Sequence, residues 1–228
     1  MKKFLVVLLV LVSSITWSQK TIQPSVSVTG EGVVKIVPDM VTISVQVENK
    51  GQNPKELKRK NNMVINDVLS YIKSLRINDK DVQTQYVRLN KNYDYQTKTY
   101  HYVANQNVII KLKDLTKYED LMDGLLERGI NRIDGVNFST SKEEVLKSEA
   151  RKKAIMNAKT KAEEYAKVLN QSVGKAISIS EFSGNSYPTP MYESVLRVAS
   201  DGGDTSQQTI SVGIIEIRTT INVIFELN

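Results

Sequence analysis

The sequence contains no cysteine among its 228 residues. No disulfide can therefore stabilise the fold, and neither a thiol nucleophile nor a thiolate metal site is available. A lipid anchor attached to an N-terminal cysteine is excluded for the same reason. We expect a protein that is held together by packing alone and that is not a lipoprotein.

Histidine is nearly absent as well, since His101 is the only one. A histidine-based metal site or general base would depend on this residue, which lies between Tyr100 and Tyr102 in a predicted strand. A surface or cross-strand packing role is the simpler interpretation. Asp201 and Asp204 are spaced less densely than the oxygen ligands of calcium sites, so a solvated loop is the better interpretation there. We predict no metal, no cofactor and no catalytic residue.

Long apolar runs are missing except at the N-terminus, where Phe4–Val12 follows two lysines. About nine residues are too few to cross a membrane comfortably, because a spanning helix needs roughly 20. Thr16 and Ser18 are small residues at the places that precede a cleavage site. We predict a Sec-type signal peptide over residues 1–18 and a periplasmic or secreted product without a transmembrane span.

Charge of one sign is not in large excess. The formal net charge is +6, and removal of residues 1–18 takes away two lysines and no acidic residue, which leaves +4. A charge this small, spread through the chain, is a weak attraction for a polyanion, so we expect no nucleic-acid partner. We predict that residues 19–228 form a single domain, since about 210 residues suit one or two.

The first half of the mature chain contains clear strand and helix patterns. Residues 26–37 and 41–47 are β-patterned, and the turn signal Pro38-Asp39 between them predicts a hairpin. A helix should begin at Asn53, which can cap it, with Pro54 at the first helical position. Apolar residues at spacings of three and four then continue the helix to Leu75.

The remaining elements follow from alternation, capping and turn residues. A long strand from Asp81 to Tyr93 is followed by a turn near 96–98 and a returning strand to Leu112. A short helix then begins with a capping box at 116–119 and stops at Gly129, and a strand at 136–140 and a helix over 142–170 follow it. The chain ends with a strand at 176–180, a long mobile loop at 184–208, and one or two strands between Thr209 and Leu227. The order, roughly ββαββαβαββ, predicts an α+β fold: a mainly antiparallel sheet with helices packed on one face.

One face of the 142–170 helix is made of alanine. A helix with such a face can approach a sheet closely. The alanines recur at every fourth place: Ala150, Ala154, Ala158, Ala162 and Ala166.

Two glycines on the first predicted strand could be interpreted as a phosphate-binding loop. Gly30-Glu31-Gly32 lacks the third glycine and the following helix that a dinucleotide fingerprint needs. A β-bulge or a close approach of two backbones explains the motif better.

Five tyrosines cluster around one predicted hairpin: Tyr86, Tyr93, Tyr95, Tyr100 and Tyr102. Exposed aromatic residues favour protein interfaces, but tyrosines also pair well across antiparallel strands. Both interpretations remain open from the sequence. The hairpin is the best candidate for an oligomer contact.

Four stretches, in order, resemble the SIMPL-domain proteins, which include periplasmic immunogenic proteins of Gram-negative bacteria. They are Val28–Gly32 with Pro38-Asp39, Ile77–Thr84 continuing to Tyr93–Tyr95, the alanine-rich Ala150–Leu169, and Val173–Glu181. The resemblance extends from about Val26 to Leu227. Arg76 and Asn170 depart from it, because the family usually has glycine at these helix ends. Asparagine tolerates the left-handed conformation found there, whereas Arg76 puts the local turn geometry in doubt.

The resemblance implies a periplasmic or envelope-associated protein that is linked to stress tolerance. It also implies homo-oligomers, ring-forming in at least some members, and peripheral association with the envelope. No catalytic residues are established for the family, so none is carried over to this chain.

Three functional hypotheses follow. The first is a non-enzymatic, homo-oligomeric envelope protein. The second is a monomeric periplasmic binding module that captures a peptide or small ligand at a sheet edge. The third, a carboxylate-based hydrolase, would need two carboxylates that converge in a cleft.

Overall fold

The computed structural model describes residues 23–181, 190–191 and 212–228. The predicted signal peptide, the aspartates at 201 and 204, and the predicted loop at 184–208 apart from residues 190–191 lie outside the described residues. Residues 190–191 form a short strand.

The described chain alternates strands and helices. Its strands are β1 (Ser25–Ile36), β2 (Met40–Gly51), β3 (Val82–Thr84), β4 (Arg88–Asp94), β5 (Thr99–Leu112), β6 (Arg132–Ser139), β7 (Val173–Glu181), β8 (Pro190–Met191) and β9 (Ile214–Leu227). Its helices are α1 (Pro54–Ser74), α2 (Tyr118–Glu127) and α3 (Glu143–Val168), and short 3-10 turns occur at Asp79–Asp81 and Leu115–Lys117. The predicted α+β class is confirmed.

The strands form two sheets, where the sequence predicted one. One sheet has the order β3-β5-β2-β6, with β4 also paired to β5, and the other has the order β1-β9-β7, with β8 also paired to β9. The pairings of β2 with β5 and β6, of β3 and β4 with β5, and of β7 and β8 with β9 are antiparallel.

The predicted hairpin between β1 and β2 is wrong, because β1 pairs with β9 while β2 pairs with β5 and β6. Asp39, in the connection between β1 and β2, is bonded to a distant part of the chain. Its backbone N–H donates to Ser139 O at 3.1 Å, and its carboxylate accepts from the N–H of Ser141 at 2.7 Å and from the hydroxyl at 2.5 Å. These bonds join the connection between β1 and β2 to the segment that precedes α3, and the hydrogen bond from Ser141 Oγ lowers the pKa of Asp39.

Packing divides the chain into two compact units. Of the described residues, the larger comprises 33–150, 190–191 and 212–218, and the smaller comprises 23–32, 151–181 and 219–228. Each unit has its own buried cluster, so the core of each is described separately below.

In the larger unit, α1 and α2 pack on β2 and β5. Asn53 caps α1 as predicted, since its side chain accepts from the N–H groups of Lys55 at 3.0 Å and Glu56 at 3.3 Å. After α1, Arg76 adopts a left-handed conformation with φ 59°, an uncommon one for a long side chain. The core residues are Val41, Ile43, Val45, Val47, Ile65, Val68, Ile72, Val108, Ile110, Leu112, Leu121, Leu125 and Ile130.

In the smaller unit, the alanine face of α3 packs against strands as predicted. Ala154, Ala158 and Ala162 are buried together with Val28, Ile221, Val223 and Phe225. A Cβ atom at Gly30 would lie 2.0 Å from the carbonyl oxygen of Ala154 and 2.8 Å from Cβ of Ala158. The interpretation of Gly30 as a close backbone approach is therefore confirmed. Asn170, which follows α3, has φ 55°, as expected for a residue that replaces glycine.

Two local predictions need correction. The strand predicted from Asp81 to Tyr93 is interrupted at residues 85–87 and forms β3 and β4. Thr116 does not cap α2: the carboxylate of Asp114 accepts from the N–H of Thr116 and caps a 3-10 turn, from which α2 continues. The C-terminal region, for which one or two strands were predicted, is the single strand β9 over its described residues.

Candidate contact surface on the tyrosine hairpin

The hairpin formed by β4 and β5 extends beyond the end of its sheet. The register runs from Arg88 opposite Asn105 to Asp94 opposite Thr99. On the other side of β5, the last partner in β2 is Gly51, opposite Tyr102. Among the described residues, positions 99–101 therefore have a strand partner only in β4, and the tip of the hairpin projects past β2.

The turn at the tip is fixed by hydrogen bonds. The carboxylate of Asp94 accepts from the N–H groups of Gln96 at 2.8 Å and Thr97 at 3.3 Å. These two backbone donors lower the pKa of Asp94, the bond from Gln96 being the larger cause. Lys98 closes the turn with φ 54°. The tip is thus ordered by its own chain and presents its side chains in one arrangement.

Three of the five predicted tyrosines meet at this tip. Tyr93 lies opposite Tyr100 in the register, with ring centroids 4.9 Å apart, and the ring of Tyr95 meets that of Tyr93 edge-on at 5.1 Å. The side chains nevertheless remain accessible: 39% of Tyr93, 57% of Tyr100 and 85% of Tyr95 is exposed. Cross-strand pairing and an outward contact face are therefore compatible, and the structure combines them.

Basic side chains border the three rings. The Lys91 ammonium lies 4.3 Å from the ring centroid of Tyr100, within cation–π range. Tyr86 is exposed in the segment between β3 and β4, and the Arg88 guanidinium lies 5.7 Å from its ring. Tyr102 is half-buried opposite Lys91. Among the described residues, neither Tyr86 nor Tyr102 joins the ring cluster.

A shallow hollow lies along the outer side of the hairpin. It has a volume of about 700 Å³ and is lined by Lys91, Asn92, Tyr93, Asp94, Tyr95, Gln96 and His101. His101 is half-buried and lies opposite Asn92 in the register, which is the cross-strand position predicted for it. The hollow is open and mixes aromatic and polar groups, as the rim of a protein interface does.

Local hydrogen bonds shift the pKa values of three aspartates in the described part of the chain. Within residues 23–181, 190–191 and 212–228, no group of three or more metal-ligating side chains converges. Asp39, Asp94 and Asp114 have pKa values below the ordinary range, because hydroxyl and N–H donors favour their charged forms. A carboxyl that acts as a general acid near neutral pH requires the opposite shift.

Sequence reasoning identified the hairpin but gave no importance to β7. The sequence predicted a strand at 176–180, in which Ile177 and Ile179 alternate with serines, and gave no burial for either side. In the structure, every residue of β7 from Lys175 to Glu181 is exposed. Alternation was the only signal, and it cannot distinguish a covered face from an open one.

Comparison with known proteins adds family information. The sequence model of the SIMPL family, described as "Protein of unknown function (DUF541)", matches residues 26–225. The chain is 26% identical over 219 residues to the 26 kDa periplasmic immunogenic protein of Brucella melitensis biotype 1, covering 92% of this chain and 88% of that protein. It is 28% identical over 208 residues to the uncharacterized protein YggE of Escherichia coli K12, covering 90% and 83%. No helix in the described part of the chain is long and apolar enough to span a membrane.

Proposed function

The chain belongs to the SIMPL family, and from this premise we propose that it is an exported, non-enzymatic envelope protein that works as a homo-oligomer. The observation that carries the proposal is the ordered hairpin tip with its exposed tyrosines. The name of the Brucella relative supports a periplasmic location. A role in envelope stress tolerance and peripheral association with the envelope are part of the proposal and rest on the family resemblance alone.

The hairpin suits a specific contact better than open aggregation. Tyr93, Tyr95 and Tyr100 supply rigid rings whose pairing already restricts their side chains, so little conformational entropy is lost when a partner covers them. Lys91 and Arg88 lie on the edge strand β4, where charged side chains discourage unspecific strand pairing. A head-to-tail contact through this hairpin would close into a ring if the rotation between copies permits it.

A second candidate is a monomeric module that captures a peptide or small ligand at a sheet edge. One observation favours it. A groove of about 470 Å³ runs between α1 and the edge strand β3, lined by Asn66, Leu69, Ser70, Ile72, Lys73, Asp79, Val82 and Thr84. An extended peptide could add to β3 and place side chains in this groove.

Replacing Tyr93 and Tyr95 together by serine should shift the assembly toward monomer. Both rings leave the contact, whereas the strands keep their hydrogen bonds. We expect a lower mass by size-exclusion chromatography with light scattering and an unchanged far-UV circular dichroism spectrum. Tyr165→Ser, which removes an exposed tyrosine from α3, is the control and should keep the wild-type mass. If the double variant also keeps it, the hairpin is not the contact, and a wild-type monomer at micromolar concentration would favour the binding module.

Export predicts a defined N-terminus. Protein isolated from the native envelope should begin at Gln19, because cleavage is expected after Ser18. Edman or mass-spectrometric sequencing of the purified product measures this directly. A product that begins at Met1 would contradict export by a cleaved signal peptide while leaving the assembly proposal intact.

A further inference from the structure

The strand β7 is an uncovered edge of its sheet. Among the described residues it pairs only with β9, so its other side presents free N–H and C=O groups. Ile177 is 50% exposed and Ile179 is 56% exposed. An edge strand of nine residues with exposed isoleucines is a favourable site for pairing with another strand.

Proline and central charge, two usual protections of an edge strand, are missing from the middle of β7, while its register against β9 shifts between Val173 and Ala176 and between Ala176 and Ser178. Residues 176–180 have the sequence Ala-Ile-Ser-Ile-Ser and contain neither a charge nor a proline. Lys175 and Glu181 are the only charged residues of β7, and they stand near its two ends. Central lysines or a proline would prevent pairing with another chain, and neither is present in the regularly paired part of the strand, Ser178–Glu181, which is open to such pairing.

The flanking helix extends the apolar surface. Arg151 of α3 lies 3.3 Å from the carboxylate of Glu181, which fixes the two elements side by side. Ile155 follows Arg151 by one helical turn, about 6 Å along α3. Ile179 precedes Glu181 by two residues, about 6.6 Å along β7. The exposed Ile155 is therefore level with Ile179, and the two lie in one strip with Ile177.

We infer that β7 pairs with β7 of a second copy of this chain, antiparallel about a two-fold axis. The inference rests on the proposed homo-oligomer and adds a contact separate from the hairpin. The strand is self-complementary: with Ser178 at the axis, Ile177 lies opposite the second copy's Ile179, and Ala176 lies opposite the second copy's Ser180.

The charged residues near the ends of β7 favour the same antiparallel orientation. Lys175 and Glu181 stand at opposite ends of the strand, so antiparallel pairing brings each lysine near the second copy's carboxylate. Parallel pairing would place like charges together, which is unfavourable. An isologous contact of this kind, combined with the hairpin contact, would join two rings into a larger closed particle.

Lysines at both isoleucines test the contact. Ile177→Lys together with Ile179→Lys should lower the mass of the particle in light scattering to about half, because charge at the two-fold axis opposes pairing. Both side chains are already half exposed, so the subunit should keep its circular dichroism spectrum. The control carries the same added charge on exposed apolar residues of α3, as Val145→Lys with Met156→Lys. It should keep the full mass.

The absence of cysteine allows a second test that reports geometry. Single cysteines are placed in turn at positions 176–181 and oxidised with glutathione. Antiparallel pairing about Ser178 brings the two Cβ atoms of Ser178→Cys within about 4.5–5.5 Å, close to disulfide geometry. Position 180 lies opposite position 176 of the second copy, four residues away from that copy's own position 180. Ser180→Cys should therefore cross-link poorly. We expect covalent dimers at position 178 and a fall in yield on both sides, whereas uniform or absent cross-linking would overturn the inference.

The outcomes separate this inference from the proposed function. If the lysine variant keeps the full mass while the tyrosine variant loses it, the β7 contact is wrong and the hairpin stands. If the tyrosine variant keeps the full mass while the lysine variant loses it, the hairpin contact is wrong and the β7 contact stands. A monomeric wild-type protein overturns both. A monomer that binds a labelled threonine–valine repeat peptide, with binding lost in the lysine variant, would assign the edge to peptide capture instead.

Discussion

Replacing Gly30 by alanine is expected to lower the free energy of unfolding by about 3 kcal/mol, the upper end of the range for overpacked cores. The added Cβ atom would lie 2.0 Å from the carbonyl oxygen of Ala154 and 2.7 Å from the backbone nitrogen of Ala158. Both atoms belong to the backbone of α3, so no side-chain rotation can relieve the overlap. β1 and α3 must separate locally, and the buried alanine face then loses its contacts.

Gly135→Ala is the matched control, because Gly135 also lies within a strand. A Cβ atom there would find its nearest neighbour, Nδ2 of Asn137, at 3.7 Å, which is ordinary contact distance. We expect this variant to unfold within about 0.5 kcal/mol of the wild type in urea, as most unconstrained substitutions do. If Gly30→Ala were equally mild, the close approach of β1 to α3 would be refuted.

The same approach could be anticipated from the sequence, because two independent signals agree on it. The alanines of α3 recur at every fourth residue, which is one face of a helix, and small side chains there imply a near neighbour. Gly30, on a strand, is the complementary signal. Neither the alanines nor the glycine alone indicates which element is the partner. Only the structure shows that β1 packs against this face of α3.

Local chemistry was also sufficient for the ends of α1. Asn53 and Pro54 fix its start through hydrogen bonds and backbone angles that involve only neighbouring residues. At α2 the same reasoning chose Thr116, but the preceding Asp114 supplies the cap. Two capping residues that stand two positions apart, such as Asp114 and Thr116, cannot be ranked by their type alone.

Strand pairing was beyond local reasoning. Pro38-Asp39 was interpreted as a turn signal, but residues 37–39 form an irregular connection between β1 and β2, and such a signal does not decide which strands pair afterwards. The hydrogen bonds between Asp39 and Ser141 join residues about a hundred positions apart. They lie at the end of the β2–β6 ladder, where Met40 is opposite Ser139. The sequence contains no marker of this long-range partnership.

The candidate contact surfaces show the same limit. The tyrosine cluster was visible because aromatic residues are few and five of them lie close together. Its orientation was not, because the register that places Tyr93 opposite Tyr100 depends on the turn at Asp94. The sequence predicted β7 as a strand without indicating whether its isoleucines are covered. Only the position of β7 at the edge of its sheet shows that they are exposed.

Leu125→Ala is expected to lower the free energy of unfolding by about 3 kcal/mol, within the range for buried leucines. Leu125 is fully buried on α2 and belongs to the core cluster of the larger unit. Truncation removes apolar contacts and leaves a cavity that the surrounding strands can fill only in part, because β2 and β5 are held by their hydrogen-bond ladder.

The neighbouring Leu126 provides a control with the same chemistry and the same helix propensity. Leu126 is exposed, so Leu126→Ala should change the unfolding free energy by no more than about 0.5 kcal/mol. Urea unfolding followed by circular dichroism compares the two variants directly, at a protein concentration where both have the same oligomeric mass. Equal effects of the two substitutions would mean that α2 does not pack on the sheet through Leu125. A large effect of Leu126→Ala alone would place the Leu126 side of α2 against the core in place of the Leu125 side.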